Sequence, residues 1–350
     1  MRRIIDSGVQ HRRRIGLFVA ATAVVGAATL AIALWLGGDL TQSTINGLVI
    51  GGTGNLTGWG LPAAKLVMEL ASVGVIGMLV TCLLLPAPDG EPSPTLRSCR
   101  RTAGRLAVVW AVATAVLLVF TWSDVVDQPV TALPFTKLFT TTTAFPDLAP
   151  YVSCTLVAVV IAVGVAVVES RRASLILLLL ACYNLVPMAL QGHASHGTVL
   201  KYSLVVHVIA ASLWVGGLGG LLLHVRQQPA LLAVAVPRFS TFALGCYIAI
   251  AATGITAAWV LLGSIPAVWG SRYGVLVMLK GAALIALGIL GWWHRRHTVG
   301  RMHTGDDGRA RRAFVQLAAA EVVIMVVAVA LAVALSRTAS PDTIVLHGNQ

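Results

Sequence analysis

The sequence predicts an all-α, polytopic transmembrane helical bundle of about nine spans, with the N-terminus inside and the C-terminus outside. Three observations carry that expectation. The 350 residues are 57% hydrophobic and only 11% charged, where a soluble protein carries about 25% charged residues. Mean hydropathy is +0.86, and the apolar residues gather in runs of about 20, enough to cross some 30 Å of hydrocarbon. Basic residues, finally, concentrate in alternate connectors.

The runs fall at 15–36, 62–85, 104–122, 150–168, 173–190, 200–224, 238–262, 273–293 and 314–336. The first could be a signal segment or an anchor. At about 22 residues it exceeds the usual 7–15 residues of a signal core, which favours an anchor. Proline and glycine punctuate the rest. Pro86, Pro88, Pro92 and Pro94 separate the second run from the third, and Pro129, Pro134 and Pro146 the third from the fourth. A very short turn, Glu169-Ser170-Arg171-Arg172, divides the fourth from the fifth, and Gly305 to Gly308 precedes the ninth. The organisation expected is a five-span N-terminal part (1–190), a four-span part (191–341) and a short outer tail (342–350).

Orientation follows from the arginines. One side receives Arg2, Arg3, Arg12 to Arg14, then Arg97, Arg100, Arg101 and Arg105, then Arg171, Arg172, Arg226 and Arg238, and last the cluster from Arg295 through Arg312. The other side holds Lys65, Lys137, Lys201 and Arg272 among Asp39, Asp124, Asp127 and Asp147. The net charge of +12 is accounted for by these scattered short loops, so no nucleic-acid partner is expected and the partner surface is membrane lipid.

That topology turns positions into depths. His207, Lys280 and Glu69 each lie about seven residues below the outer start of their own run, roughly 10 Å at 1.5 Å per residue. Three separate spans thus place ionisable groups in one layer, where isolated charges are costly and pairing is the natural solution. Two readings stay open: an ion pair that only fixes helix packing, or a polar chamber that handles an ion or proton. Glu321 sits some 10 Å from the opposite face, where it could end an inward path or meet a loop arginine.

The segment GHASHGTVLKYSLVVHVIAASLWVGG, 192–217, forms the expected outer lip. Met188, His193 and His196 are thioether and imidazole groups, ligand types that suit copper in either oxidation state, although a histidine pair in a solvated loop is common. Trp214 lies seven residues from His207 and so on the same helical face. Gly216, Gly217, Gly219 and Gly220 read as close-packing residues. Cys82, Cys99, Cys154, Cys182 and Cys246 form no CxxC motif and read as small packing residues. No Walker A, H-E-x-x-H or placeable GxSxG pattern is present, and the glycine-rich 47–60 stretch lacks dinucleotide-loop order, so no enzyme activity is expected.

From about Gly192 to Pro341 the chain resembles the copper-resistance protein D (CopD) family of bacterial membrane proteins. The matching pieces are GHASHG, HVIAASLWVGG, RFSTFALGCYIAIAATGITAAWVLLGS, RYGVLVMLKGAAL with Tyr273 and Lys280, and AAAEVVIMVVAVALAVALSRTASP with Glu321. Residues 1–190 resemble the N-terminal helices of longer members. Some members are fused to a cytochrome c oxidase assembly domain. This sequence ends about 14 residues after its last run, so that domain is not expected in it, whether it is a stand-alone form or part of something longer. The resemblance implies copper handling in the cytoplasmic membrane, described in general as uptake. It also implies a periplasmic copper-binding protein and cytochrome c oxidase assembly factors as partners. It carries over His193, His207, Lys280 and Glu321, while His196 and Met188 rest on ligand chemistry. The ion is Cu(I) or Cu(II). One alternative is a b-type haem electron-transfer protein, which needs two facing axial ligands; another is a membrane scaffold for copper-enzyme assembly.

Overall fold

A segment in hydrocarbon must satisfy its own backbone N–H and C=O groups, and this chain does so with helices. The structure, a computed structural model, describes residues 2–37, 43–45, 48–50, 53–86, 93–191, 197–294, 296 and 307–338. In chain order the helices are α1 (Arg2–Gly37), α2 (Asn55–Leu84), α3 (Pro94–Val126), a short α4 (Leu138–Ala144), α5 (Ala149–Val167), α6 (Arg171–Ala189) and α7 (Thr198–Gly220). Then follow α8 (Pro229–Leu262), a short α9 (Ile265–Gly270), α10 (Arg272–His294) and α11 (Asp307–Leu335). Nine of the described helices are long and apolar enough to span a membrane. The protein is therefore an all-α polytopic bundle.

Two details differ from the sequence expectation. A small antiparallel hairpin, β1 (Ser43–Ile45) and β2 (Leu48–Ile50), joins α1 to α2, with Ser43 opposite Ile50. Strands of three residues are too short to register as a period-two pattern. Several helices also begin earlier than their apolar runs. Pro62, the first residue of its apolar run, and Pro237, just ahead of the 238–262 run, lie inside α2 and α8. The start of α3 is set by Ser93, whose side chain accepts from the Leu96 amide, with Pro94 following in the first turn. Ser170 caps α6 in the same way through the Ala173 amide, which explains how so short a turn separates two spans.

The most buried of the spanning helices is α2, which packs against α3, α7, α6 and α11. One apolar core joins α2, α3, α5 and α6 around Trp110, Leu79 and Ile161. A second joins α7, α8, α10 and α11 around Trp214, Leu222, Phe239 and Met325. The two meet where α2 crosses α7. There a Cβ on Gly77 would collide with the Gly216 backbone, one on Gly216 with the Val73 carbonyl, and one on Gly220 with the Thr81 hydroxyl. Gly77 and Thr81 thus face Gly216 and Gly220, two small-residue pairs at four-residue spacing that bring the backbones together.

Candidate functional site

The α2–α7 crossing fixes the heights of two polar residues. Glu69 is eight residues before Gly77 on α2, and His207 is nine before Gly216 on α7. The helices run in the same direction, toward the arginine-rich end, so both groups stand about 12–14 Å from the crossing on the side away from that end. On α10, Lys280 lies near enough for its charge to act on both the Glu69 carboxylate and His207. Glu69 is also within electrostatic reach of Lys65, one turn earlier on α2. No ion pair shorter than 4 Å forms within this group among the described residues, and all four side chains are partly buried.

The polar series continues away from the arginine-rich end. Lys65 Nζ donates to Ser336 Oγ at 2.9 Å, and its charge is felt alongside that of Arg337. Arg337 in turn pairs with Asp124 at 3.3 Å. The result is a line of groups from Asp124 through Arg337, Lys65, Glu69 and Lys280 to His207, drawn from α3, the end of α11, α2, α10 and α7. The sequence reading counts Lys65, inside the 62–85 run, only among the charges of one side; within α2 it stands one turn before Glu69 and belongs to this line.

His207 has a defined orientation. Its Nδ1 is 2.9 Å from Thr253 Oγ1 on α8. That hydroxyl has one proton, and it donates to the Ala249 carbonyl at 2.6 Å. With its proton so placed the hydroxyl accepts from the ring, and this hydrogen-bond network assigns the tautomer protonated at Nδ1. The Ile250 carbonyl, which can only accept, also acts on the ring. Ser203 braces the same place by donating to the Thr253 carbonyl at 3.2 Å. Nε2 is left with its lone pair, the arrangement by which a second-shell acceptor prepares a histidine for a metal ion or a proton.

The remaining sequence candidates scatter. Trp214 is buried and makes an edge contact with Tyr247, ring centroids 5.6 Å apart, a packing role at the α7–α8 interface. Tyr273 is buried among Leu200, Leu261 and Leu262, a small core of its own. Glu321 is buried too, but lies fifteen residues before Ser336 on α11, about 22 Å away along the helix, so it belongs to a different level. Met188 is partly buried against the α2–α3–α5–α6 core. His193 and His196 lie outside the described residues. No group of three or more His, Cys, Asp or Glu side chains able to hold a metal occurs among the described residues. Nor is there a haem pair among the described side chains. His207 and His224 are seventeen residues apart along one helical run, about 25 Å, and cannot face each other across one ring system.

Lys65, Asp124, Arg337 and Thr253 were not singled out from the sequence. A threonine in an apolar helix has no distinguishing pattern, Asp124 and Arg337 lie at helix ends, where charge is ordinary, and Lys65 lies in the first half of α2. Only the spacing of Lys65 from Glu69, one turn apart on a helix, could have flagged one of them.

Two family models match the chain. One, described as copper resistance protein D-like, N-terminal domain, covers residues 56–202, and the other, copper resistance protein D, covers 233–335. No curated protein and no solved structure matches. Glu69, Met188, His193 and His196 fall in the first stretch and Tyr273, Lys280 and Glu321 in the second, while His207 and Trp214 lie between them. With most of its length matched by these two models and nine apolar helices of spanning length, the chain belongs to the copper resistance protein D family of multi-pass membrane proteins.

Proposed function

We propose that this chain carries copper ions inward across the cytoplasmic membrane, through a polar layer at the junction of α2, α7, α8 and α10. The observation that carries the reading is the oriented His207, with Nε2 left as a lone pair within electrostatic reach of Lys280. Copper is the substrate, and imidazole accepts it in either oxidation state. His193 and His196, with Met188 below them, are the proposed outer receivers, and a periplasmic copper-binding protein is the proposed donor.

The charges within the layer have a physical logic. A cation at His207 would be repelled by the Lys280 ammonium, and Glu69 supplies the offsetting negative charge. Lys65 and Arg337, with Asp124, extend the series toward the outer end. The sequence has no nucleotide-binding motif to drive movement, so the ion gradient, a second ion or a partner supplies it. The chain acts on copper without catalysing a covalent reaction.

The test is cell-associated copper in cells expressing the protein at matched levels. His207→Ala and His193→Ala should each lower it toward that of cells without the protein. Unchanged accumulation in both variants would sink the transport reading and leave the polar layer as a packing device.

A further inference from the structure

The last turn of α2 ends on carbonyls that no further turn can satisfy, and two arginines from distant parts of the chain take them. Arg171, at the start of α6, donates to the Leu83 carbonyl at 2.6 Å and to the Leu85 carbonyl at 3.2 Å. Arg238, in α8, donates to the Leu84 carbonyl at 3.2 Å. Consecutive helical residues rise by about 1.5 Å, so the two guanidinium groups converge on one level from two different helices. The negative end of the α2 dipole favours cations there.

A carbonyl dipole offsets only part of a full charge, and a guanidinium has further N–H groups to give. Both arginines are exposed, and neither pairs with a carboxylate among the described residues. The segments 86–105, 168–172 and 226–238 hold eight arginines against three carboxylates, Asp89, Glu91 and Glu169, so this end stays positive however those carboxylates pair. Arg100 is buried and turned instead to the Val165 carbonyl at 3.4 Å, which leaves it out of the exposed surface. Beside the two exposed arginines the helix faces become apolar. Leu175, Ile176 and Leu179, one to two turns along α6, are exposed, and so is Phe242, one turn along α8. A cationic end above apolar helix faces matches a phosphate head above acyl chains.

We infer that Arg171 and Arg238 form a docking site for one anionic phospholipid at the arginine-rich end of the bundle, its phosphate at the two guanidinium groups and its chains against α6 and α8. Charge complementarity chooses the occupant. Phosphatidylglycerol keeps a net negative charge, whereas phosphatidylcholine carries its own ammonium. Basic pockets between membrane helices take anionic head groups on this balance, and the guanidinium fork matches paired phosphate oxygens. Helix α6 belongs to the first apolar core and α8 to the second, so a lipid held by both ties the two cores together at the end of α2. The site is independent of the copper reading.

The test compares the unfolding midpoint of the purified full chain in nanodiscs of phosphatidylcholine alone and of equimolar phosphatidylcholine and phosphatidylglycerol. Wild type should melt higher in the anionic discs. Arg171→Gln with Arg238→Gln should lose that gain; each protein is compared with itself in the two lipids, so its lost carbonyl contacts cancel. Arg101→Gln with Arg105→Gln, exposed arginines of the same end, should keep the gain. An undiminished gain in the first pair, or an equal loss in the second, would overturn the site in favour of diffuse charge. An equal rise with inorganic phosphate in neutral discs would assign the arginines to a soluble anion and overturn the lipid. The last arm needs no substitution. A photoactivatable phosphatidylglycerol should label the starts of α6 and α8 in wild type, and labelling confined to other helices would contradict the proposal.

Discussion

At the scale of single residues, the decisive contact is the one between His207 and Thr253. A threonine hydroxyl that already gives its proton to Ala249 can only accept from the ring, and this leaves Nε2 open. Loss of such a supporting partner costs roughly 10–100-fold in metal affinity. Thr253→Val keeps the shape but removes the acceptor, so copper accumulation in cells should fall about tenfold or more by the same rule. Thr253→Ser keeps the hydroxyl and should stay near wild type. Equal behaviour of the two variants would show that the hydroxyl does not orient the ring. His207, Lys280 and Glu69 could be found from sequence because an ionisable group in an apolar run stands out against its cost. Thr253 could not, because hydroxyls bonding back to their own helix are ordinary. Its significance depends on α8 lying beside α7, which no local pattern encodes.

At the scale of elements, the α2–α7 crossing and the link from α2 to α10 hold the layer together. Ala at Gly216 would place a methyl against the Val73 carbonyl and the Gly77 backbone, overpacking that costs about 1–3 kcal/mol. The apparent unfolding midpoint of purified Gly216→Ala should drop. Gly219→Ala, where a methyl meets nothing within 4 Å, should not. The glycine cluster was legible as a packing motif, but which of its members touch α2 was not, since that depends on the rotation of both helices.

The charges of Glu69 and Lys280 make a second test between elements. Glu69→Gln leaves the ammonium groups of Lys280 and Lys65 without the carboxylate whose charge reaches them, so the apparent unfolding midpoint of the purified protein should fall. Pairing it with Lys280→Met should restore part of that loss in the same unfolding assay, as coupled sites do. Additive losses would mean that the two groups do not interact. The expectation of a shared depth came from counting residues below each apolar start. In the structure Glu69 and His207 both stand about 12–14 Å from the α2–α7 crossing.

At the scale of the whole molecule, composition made the bundle legible and hid its edges. Hydropathy reports only the part of a helix that lies in hydrocarbon, whereas backbone hydrogen bonding continues into the polar interface. That is why α2, α3 and α8 start before their apolar runs and why Pro62 and Pro237 lie inside helices. The lip at His193 and His196 lies outside the described residues, so the path is drawn from the layer inward. The central claim is that His207 lies on the route of copper through the bundle. Its most direct test is the flux of Cu(I) into sealed vesicles reconstituted with purified protein. Wild type should load copper faster than protein-free vesicles and His207→Ala should fall to the protein-free rate, whereas equal loading by the two proteins would contradict the account.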